Sequence, residues 1–561
     1  METIYYLLTK KTKIIENFAI NKKELRKIAL PPSIISIQDR AFQDCSFLIE
    51  IVLPSSLLTI GNYSFRNCTS LKAITIPFSV ESIGSGAFQY CKKLKEVKFE
   101  PPSKITRIDF NTFYGCLSLE QVTLPSGLLS IGNDAFFDCS ALSKINLPHE
   151  ITSIENGAFC KCKKLAQIKI HSLVTSIGKK AFSECNLLEK VTIPSSVKSI
   201  ESGAFDNCIS LNEFLFFDSS SVSFIADNAF NCCQSLIEIE IPQSVTMIGN
   251  NAFYDCQKLK KVTIPSSVTS IGQFAFHNCQ SLTDLTISSS LISIGASAFK
   301  NCCLLTQITL PPSLIKIEAG AFEDCKSLNK VLIPPSVTTI NDYVFKNCIK
   351  LSKITIPSSV DTIGEGSFEQ CKSLSKIQIH QFIKVIRSNA FGGCSSLKQF
   401  EFPSSVKSIE SRTFINCTSL TKFTIPSSVK SIGDNAFDGC SSLVQISIPS
   451  SVNFIGEGAF SNCSSLNIIT LECPLTAIND YTFYKCSNLS KVTLPSSLIS
   501  IGVREFDGCI SLSQINLPAS LKSIGSEAFN DCFSIRQISV PSAVKEDCSS
   551  IFHPNTVIKR I

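Results

Sequence analysis

Twenty-two cysteines recur along this chain at a nearly fixed interval. From Cys45 to Cys532, each three residues after a Phe, 19 of the 21 steps are 23 residues long, and the other two, Cys91 to Cys116 and Cys208 to Cys233, are 25. Self-similarity at a period of about 20–29 residues describes stacked supersecondary units, each touching only its neighbours. A chain of 561 residues would ordinarily be divided into several globular domains. No linker, charge block or change of composition interrupts the period to support such a division.

Each unit has a readable physical pattern. In "LKAITIP" (71–77), Leu71, Ile74 and Ile76 alternate with Ala73 and Thr75, the signature of a short strand with one buried face, and Pro77 ends its ladder. "SVESIG" is a second extended piece, with Val80 and Ile83 facing inward and Gly84 turning the chain. In "AFQYCKKL", Ala87, Cys91 and Leu94 fall at i, i+4 and i+7, which predicts one or two helical turns with an apolar stripe. The expected unit is therefore strand, turn, short strand, short helix. The fold class is an α/β repeat solenoid: a parallel sheet on one side, short helices on the other. One Phe in each of the 22 units supplies more than half of the 40 Phe in a chain without Trp.

The cysteines are expected to be structural. A site pressed between neighbouring units needs a small apolar group, and a Cys thiol serves as one. A disulfide ladder would need facing side chains with Cα atoms within about 7 Å, whereas these point into the core. Zinc would need clustered ligands, and only Cys160/Cys162, Cys232/Cys233 and Cys302/Cys303 lie close, with five His scattered. A nucleophile would need an activating partner. Phe42, Phe437, Cys45, Cys68, Cys256 and Cys440 are thus assigned to the core. No metal, no cofactor and no catalytic residue is assigned: there is no His/Asp/Ser constellation and no phosphate-binding Gly loop, so the expected protein is not an enzyme.

With strand pairing about 4.8 Å apart, "LRKIALP" (25–31) and the units after it lay out a sheet on the order of 100 Å long. Its outward positions are Cys+5 and Cys+7. Glu50, Glu96, Glu213, Glu238 and Asp284 occupy Cys+5, and no acid does so after 284. Beyond that point the face carries Lys330, Lys353, Lys376, Lys422 and Lys491, with Gln307, Gln399 and Gln445 and with Thr309, Thr355, Thr424 and Thr493. Lys330, Lys353 and Lys376 are consecutive, and each neighbouring pair repels by about 1 kcal/mol in water before salt screening. Such a face solubilises a sheet, and it also suits a macromolecular partner, an acidic protein or a sulfated or sialylated glycan, held by many weak contacts. A long shallow sheet offers no enclosure for a small-molecule substrate. The net charge of +6 is too small for this length to suggest nucleic acid. The two longer steps enlarge loops at one rim, "KFEPPSKITRI" and "FLFFDSSSVSFI", where Phe214, Phe216 and Phe217 thicken the local core.

The repeated sentence L-x-x-I-x-I-P-x-S-V-x-x-I-G-x-x-A-F-x-x-C-x-x-L resembles the BspA-like, or treponemal-type, leucine-rich repeats over roughly residues 25–545. This resemblance implies a curved, right-handed leucine-rich-repeat superhelix with a concave parallel sheet. It also implies work in binding, as in the surface antigens and adhesins of oral bacteria and the surface-antigen-like families of trichomonads and Entamoeba. Residues 1–24 and 546–561 are expected to cap the open ends, which would otherwise expose core. Location is drawn two ways. The resemblance implies a cell surface. Against it, "METIYYLLTKK" lacks the pattern of a secretory signal, no membrane span is evident, "PNTVIKRI" carries no anchor motif, and 27 largely unpaired thiols suit a reducing interior. The alternative function is an intracellular scaffold for protein–protein interaction.

Overall fold

The computed structural model describes residues 12–16 and 25–561. The expected cap at 1–24 lies outside the described residues except for 12–16, where Ile14–Ile15 pairs in parallel with Ser36–Ile37. Contacts divide the chain into a first unit ending at Ser288 and a second, Ser289–Ile561. Each is a β-solenoid of stacked coils linked by parallel ladders.

One coil of the first unit shows how the sequence builds the stack. Ala73–Ile76 pairs in register with Glu96–Phe99 one coil on, Ile74 opposite Val97 and Thr75 opposite Lys98. Side chains alternate, so Ile74 and Ile76 are buried while Ala73 and Thr75 face water. The second strand, Ser82–Ile83, pairs with Thr59–Ile60 and buries Ile83. Val80, Ala87, Phe88, Cys91 and Leu94 complete the interior.

The third side departs from expectation: the short helices are absent, and the only regular helix among the described residues is a three-residue 3₁₀ turn, Cys548–Ser550. Hydrogen bonding gives the reason. The amides of Gly86, Phe88 and Tyr90 donate to the carbonyls of Phe110, Thr112 and Tyr114 in the next coil at 2.8, 2.9 and 2.7 Å. The alternate amides, Gln89 and Cys91, close four-residue turns onto the carbonyls of Gly86 and Phe88 at 3.0 and 3.1 Å. An α-helix would spend those donors within the segment. Gly86 (φ 63°) and Tyr90 (φ 60°) also adopt left-handed backbone, and two such residues per turn segment stop helix propagation. The i, i+4, i+7 stripe is real, but it belongs to a tight double turn.

Inside, the repeat phenylalanines stack face to face. In the second unit, Phe414, Phe437 and Phe460 have ring centroids 5.5 and 5.3 Å apart, with interplanar angles of 13° and 4°. The series ends at Phe552, 5.1 Å from Phe529, where Val557–Arg560 adds a strand beside Gln537–Val540. In the first unit Phe42 stacks on Phe65 at 5.0 Å.

All 27 cysteines carry thiols, and all but Cys232, Cys303 and Cys548 are buried. The thiols do more than fill space: Cys68, Cys256 and Cys440 donate to the carbonyls of Phe42, Phe230 and Phe414 in the preceding coil, each at 3.2 Å. Burial pushes the Cys256 and Cys440 thiols well above their usual range, which suppresses the thiolate that metal binding or nucleophilic attack requires. Of the loop aromatics, Phe214 thickens the core as expected, meeting Phe205 and Phe230 edge-on at 5.0 and 4.6 Å. Phe217 does not: it is 57% exposed.

Candidate binding face

Every residue assigned to the binding face lies in the second unit. Its first strands include Gln307–Thr309, Lys330–Leu332, Lys353–Thr355, Lys376–Gln378, Gln399–Glu401, Lys422–Thr424 and Lys491–Thr493, each exposed, buried, exposed along its length. Period-2 geometry therefore sends Lys330, Lys353, Lys376, Lys422 and Lys491 to water, together with the assigned Gln and Thr residues, while Ile308, Val331 and Ile354 hold the sheet to the core.

Register brings them into rows. Gln307 stands opposite Lys330, Lys330 opposite Lys353, and Lys353 opposite Lys376. A second run aligns Gln399, Lys422, Gln445, Ile468, Lys491 and Gln514. Thr309 stands opposite Leu332, Thr355 opposite Gln378, Thr424 opposite Glu401 and Thr493 opposite Thr470.

Three strand-face lysines of the first unit are ion-paired: Lys27 with Glu50 at 2.6 Å, Lys98 with Glu96 at 3.0 Å, and Lys190 with Glu213 at 2.7 Å. Lys144 and Lys261 at the same face have no carboxylate partner among the described residues. On the strand face of the second unit, none of the five assigned lysines has a carboxylate partner among the described residues. Ion pairs of the second unit lie elsewhere, as in Lys346–Glu369 at 2.8 Å on the turn side. The strand-face lysines are like charges aligned at about 4.8 Å per coil, held close by the backbone and not neutralised locally.

Depressions elsewhere in this unit have a different chemistry. One of about 470 Å³ is lined by Glu365, Asp434, Glu457 and Arg412 with Ser and Asn side chains, and has no His. Among the described residues no group of three or more His, Cys, Asp or Glu is placed to hold a metal ion, and no helix is long and apolar enough to cross a membrane.

The profile of the BspA type leucine rich repeat region, in six copies, matches residues 5–116, 98–212, 223–350, 292–420 and 476–561. The chain belongs to the BspA-type leucine-rich repeat family. No curated protein matches the chain. Among solved structures, a leucine rich cell surface protein from Faecalibacterium prausnitzii is 29% identical, covering 62% of this chain and 91% of that one, with a TM-score of 0.39. A leucine-rich repeat protein from Eubacterium ventriosum is 27% identical over 55% of this chain and 80% of its own, with a TM-score of 0.37. The T. pallidum leucine rich repeat protein is 32% identical over 33% of this chain and 83% of its own, with a TM-score of 0.28.

Proposed function

We propose that this BspA-type chain is a non-enzymatic binding scaffold, adhesin-like in its role as a surface antigen, that holds an acidic macromolecule on the strand face between about residues 307 and 495. The observation that carries this reading is the unneutralised lysine row. The first unit pairs Lys27, Lys98 and Lys190 of its strand face with glutamates. Of its lysines at positions equivalent to Lys330, only the separated Lys144 and Lys261 have no carboxylate partner among the described residues. In the second unit Lys330, Lys353 and Lys376 are aligned in three consecutive coils without a carboxylate partner among the described residues. An acidic partner relieves that repulsion. Thr and Gln beside the lysines donate and accept hydrogen bonds, and strength comes from the number of contacts. In the same reading residues 546–561 act as the C-terminal cap, because Phe552 closes the phenylalanine stack.

The test is to change Lys330, Lys353 and Lys376 together to Glu and measure binding to immobilised polyglutamate and heparin. Binding is expected to fall at least about tenfold, the equivalent of 1.4 kcal/mol, and to weaken with salt in the native protein. Exposed Lys326, Lys350 and Lys372, just after their cysteines, provide the matched control triple. Equal loss in the control, or none in the strand-face triple with the fold intact, would refute the assignment.

The 27 thiols favour a second reading, an intracellular scaffold, since a reducing compartment preserves them. Labelling intact cells with a membrane-impermeant amine reagent separates the two readings.

A further inference from the structure

A second basic row lies around the corner from the first. Thirteen residues after Cys371, Cys394 and Cys417 stand Lys384, Lys407 and Lys430, all exposed, at the entrance to the second strand of three successive coils. The Lys430 amide donates to the Lys407 carbonyl at 2.8 Å, and Ser408 stands opposite Ser431, so these two lysines are aligned as closely as those on the strand face. Lys384 pairs with Asp361 at 3.1 Å; Lys407 and Lys430 have no carboxylate partner among the described residues. In the same three coils Lys376 and Lys422 face water from the first strand, and Lys398 is exposed at the start of the strand between them. The Pro-Ser-Ser corners at 403–405 and 426–428 separate the two rows. Three acids oppose the six lysines: Asp361, Glu401 and Glu410, the last accepting from the Ser388 amide at 2.8 Å.

We infer that the coils from Lys376 to Lys430 bind a linear sulfated polysaccharide, running along the stack and straddling the Pro-Ser-Ser corner between the two rows. This rests on the reading of the strand face as the binding face and names its ligand class. The composition of the surface selects the ligand. Protein–protein interfaces are enriched in aromatic residues and Arg and depleted in Lys, with a buried apolar anchor at the centre. Here the outward residues are Lys, Gln, Thr, Ser and Glu, and the exposed apolar residues Leu332 and Ile468 lie in other coils. One ring, Phe382, is 59% exposed at the corner of the first coil, where His380-Gln381-Phe382 replaces Pro-Ser-Ser. Single-stranded nucleic acid is bound by stacking successive bases on aromatic side chains. The corner between the rows offers the single exposed ring of Phe382, with no aromatic at the equivalent Ser405 and Ser428 of the next two coils. Rows of flexible ammonium groups, one per coil along a single axis, match a ligand whose anionic groups also repeat along one axis and which buries little apolar surface.

The experiment measures binding of size-defined heparin oligosaccharides, from disaccharide to dodecasaccharide, to the full chain by calorimetry. Affinity is expected to rise with length and then level off once the three coils are spanned. The K407E/K430E variant, checked for an unchanged thermal midpoint, should lose about tenfold in affinity for the longest oligosaccharide. Independence from length, or full affinity in K407E/K430E while the Lys330, Lys353 and Lys376 triple variant loses it, would overturn the two-row site and leave the strand face standing. Equal affinity for a DNA duplex of matched length and salt would overturn the choice of a glycan. Failure of heparin to bind, with polyglutamate still held by the strand face, would overturn this inference and spare the broader one.

Discussion

Phe437→Ala is expected to cost about 3–5 kcal/mol, the usual penalty for emptying a large aromatic core site. The ring is fully buried, stacked between Phe414 and Phe460, and met edge-on by Phe423 at 4.8 Å. Removing it takes contacts from three aromatic neighbours at once. Phe42 is equally buried but stacks on Phe65 alone among the described residues, so Phe42→Ala should cost less. Because solenoid coils touch only their neighbours, the damage should also be local. Denaturant unfolding read by hydrogen exchange checks both points: protection should fall in the coils around 437 and persist far from it. Equal losses at the two sites, or uniform loss of protection, would contradict a nearest-neighbour array.

The second large effect comes from Glu505. Twenty-three residues apart along the turn side, this position is Ala, Ser, Thr or Val in the other coils, and here it is a fully buried carboxyl. Its Oε2 accepts from the Thr482 amide at 2.9 Å, while Oε1 has no partner among the described residues. Burial holds its pKa well above the usual carboxylate range, against the opposing Thr482 hydrogen bonds. The folded chain therefore keeps a proton that the unfolded chain releases near pH 4.3, roughly the ordinary Glu value. The stability this group contributes is complete below that range and is lost as pH rises from there to the raised folded value. The slope approaches about 1.4 kcal/mol per pH unit while the folded state stays protonated. Glu505→Gln keeps the shape and an acceptor but cannot ionise. Subtracting the variant's stability from that of the native protein, between pH 4 and 8, roughly the span over which the unfolded carboxyl is ionised, should leave a difference that grows against the native protein with rising pH. A difference independent of pH would mean that Glu505 ionises alike in both states.

The period and the strand alternation were fully legible, because a strand repeating every coil must bury the same side each time. Ile74 and Ile76 went in, and Lys330 and Thr355 went out, as period 2 requires. The turn side was misread because its apolar spacing coincides with that of a helix. The correcting signal was present in the chain: left-handed backbone favours Gly and Asn, and these recur two residues before the Phe, as at Gly86, and one before the Cys, as at Gly439 and Asn67. The thiol–carbonyl bonds were not legible, since they join residues one coil apart through geometry that spacing does not specify. Nor was the row at Lys384, Lys407 and Lys430 read as part of the face, because it sits on the next side of the coil and only the fold makes the two rows neighbours.

Lysine reactivity tests residue by residue whether the second unit binds through its strand face. The full chain is acetylated briefly with and without saturating heparin, and each lysine is quantified by mass spectrometry. Lys330, Lys353, Lys376 and Lys422 should be protected, while Lys326, Lys350 and Lys372 on the turn side react equally in both samples. Protection of the turn-side lysines with the strand-face set unchanged would place the ligand on the turn side and rule out binding through the strand face.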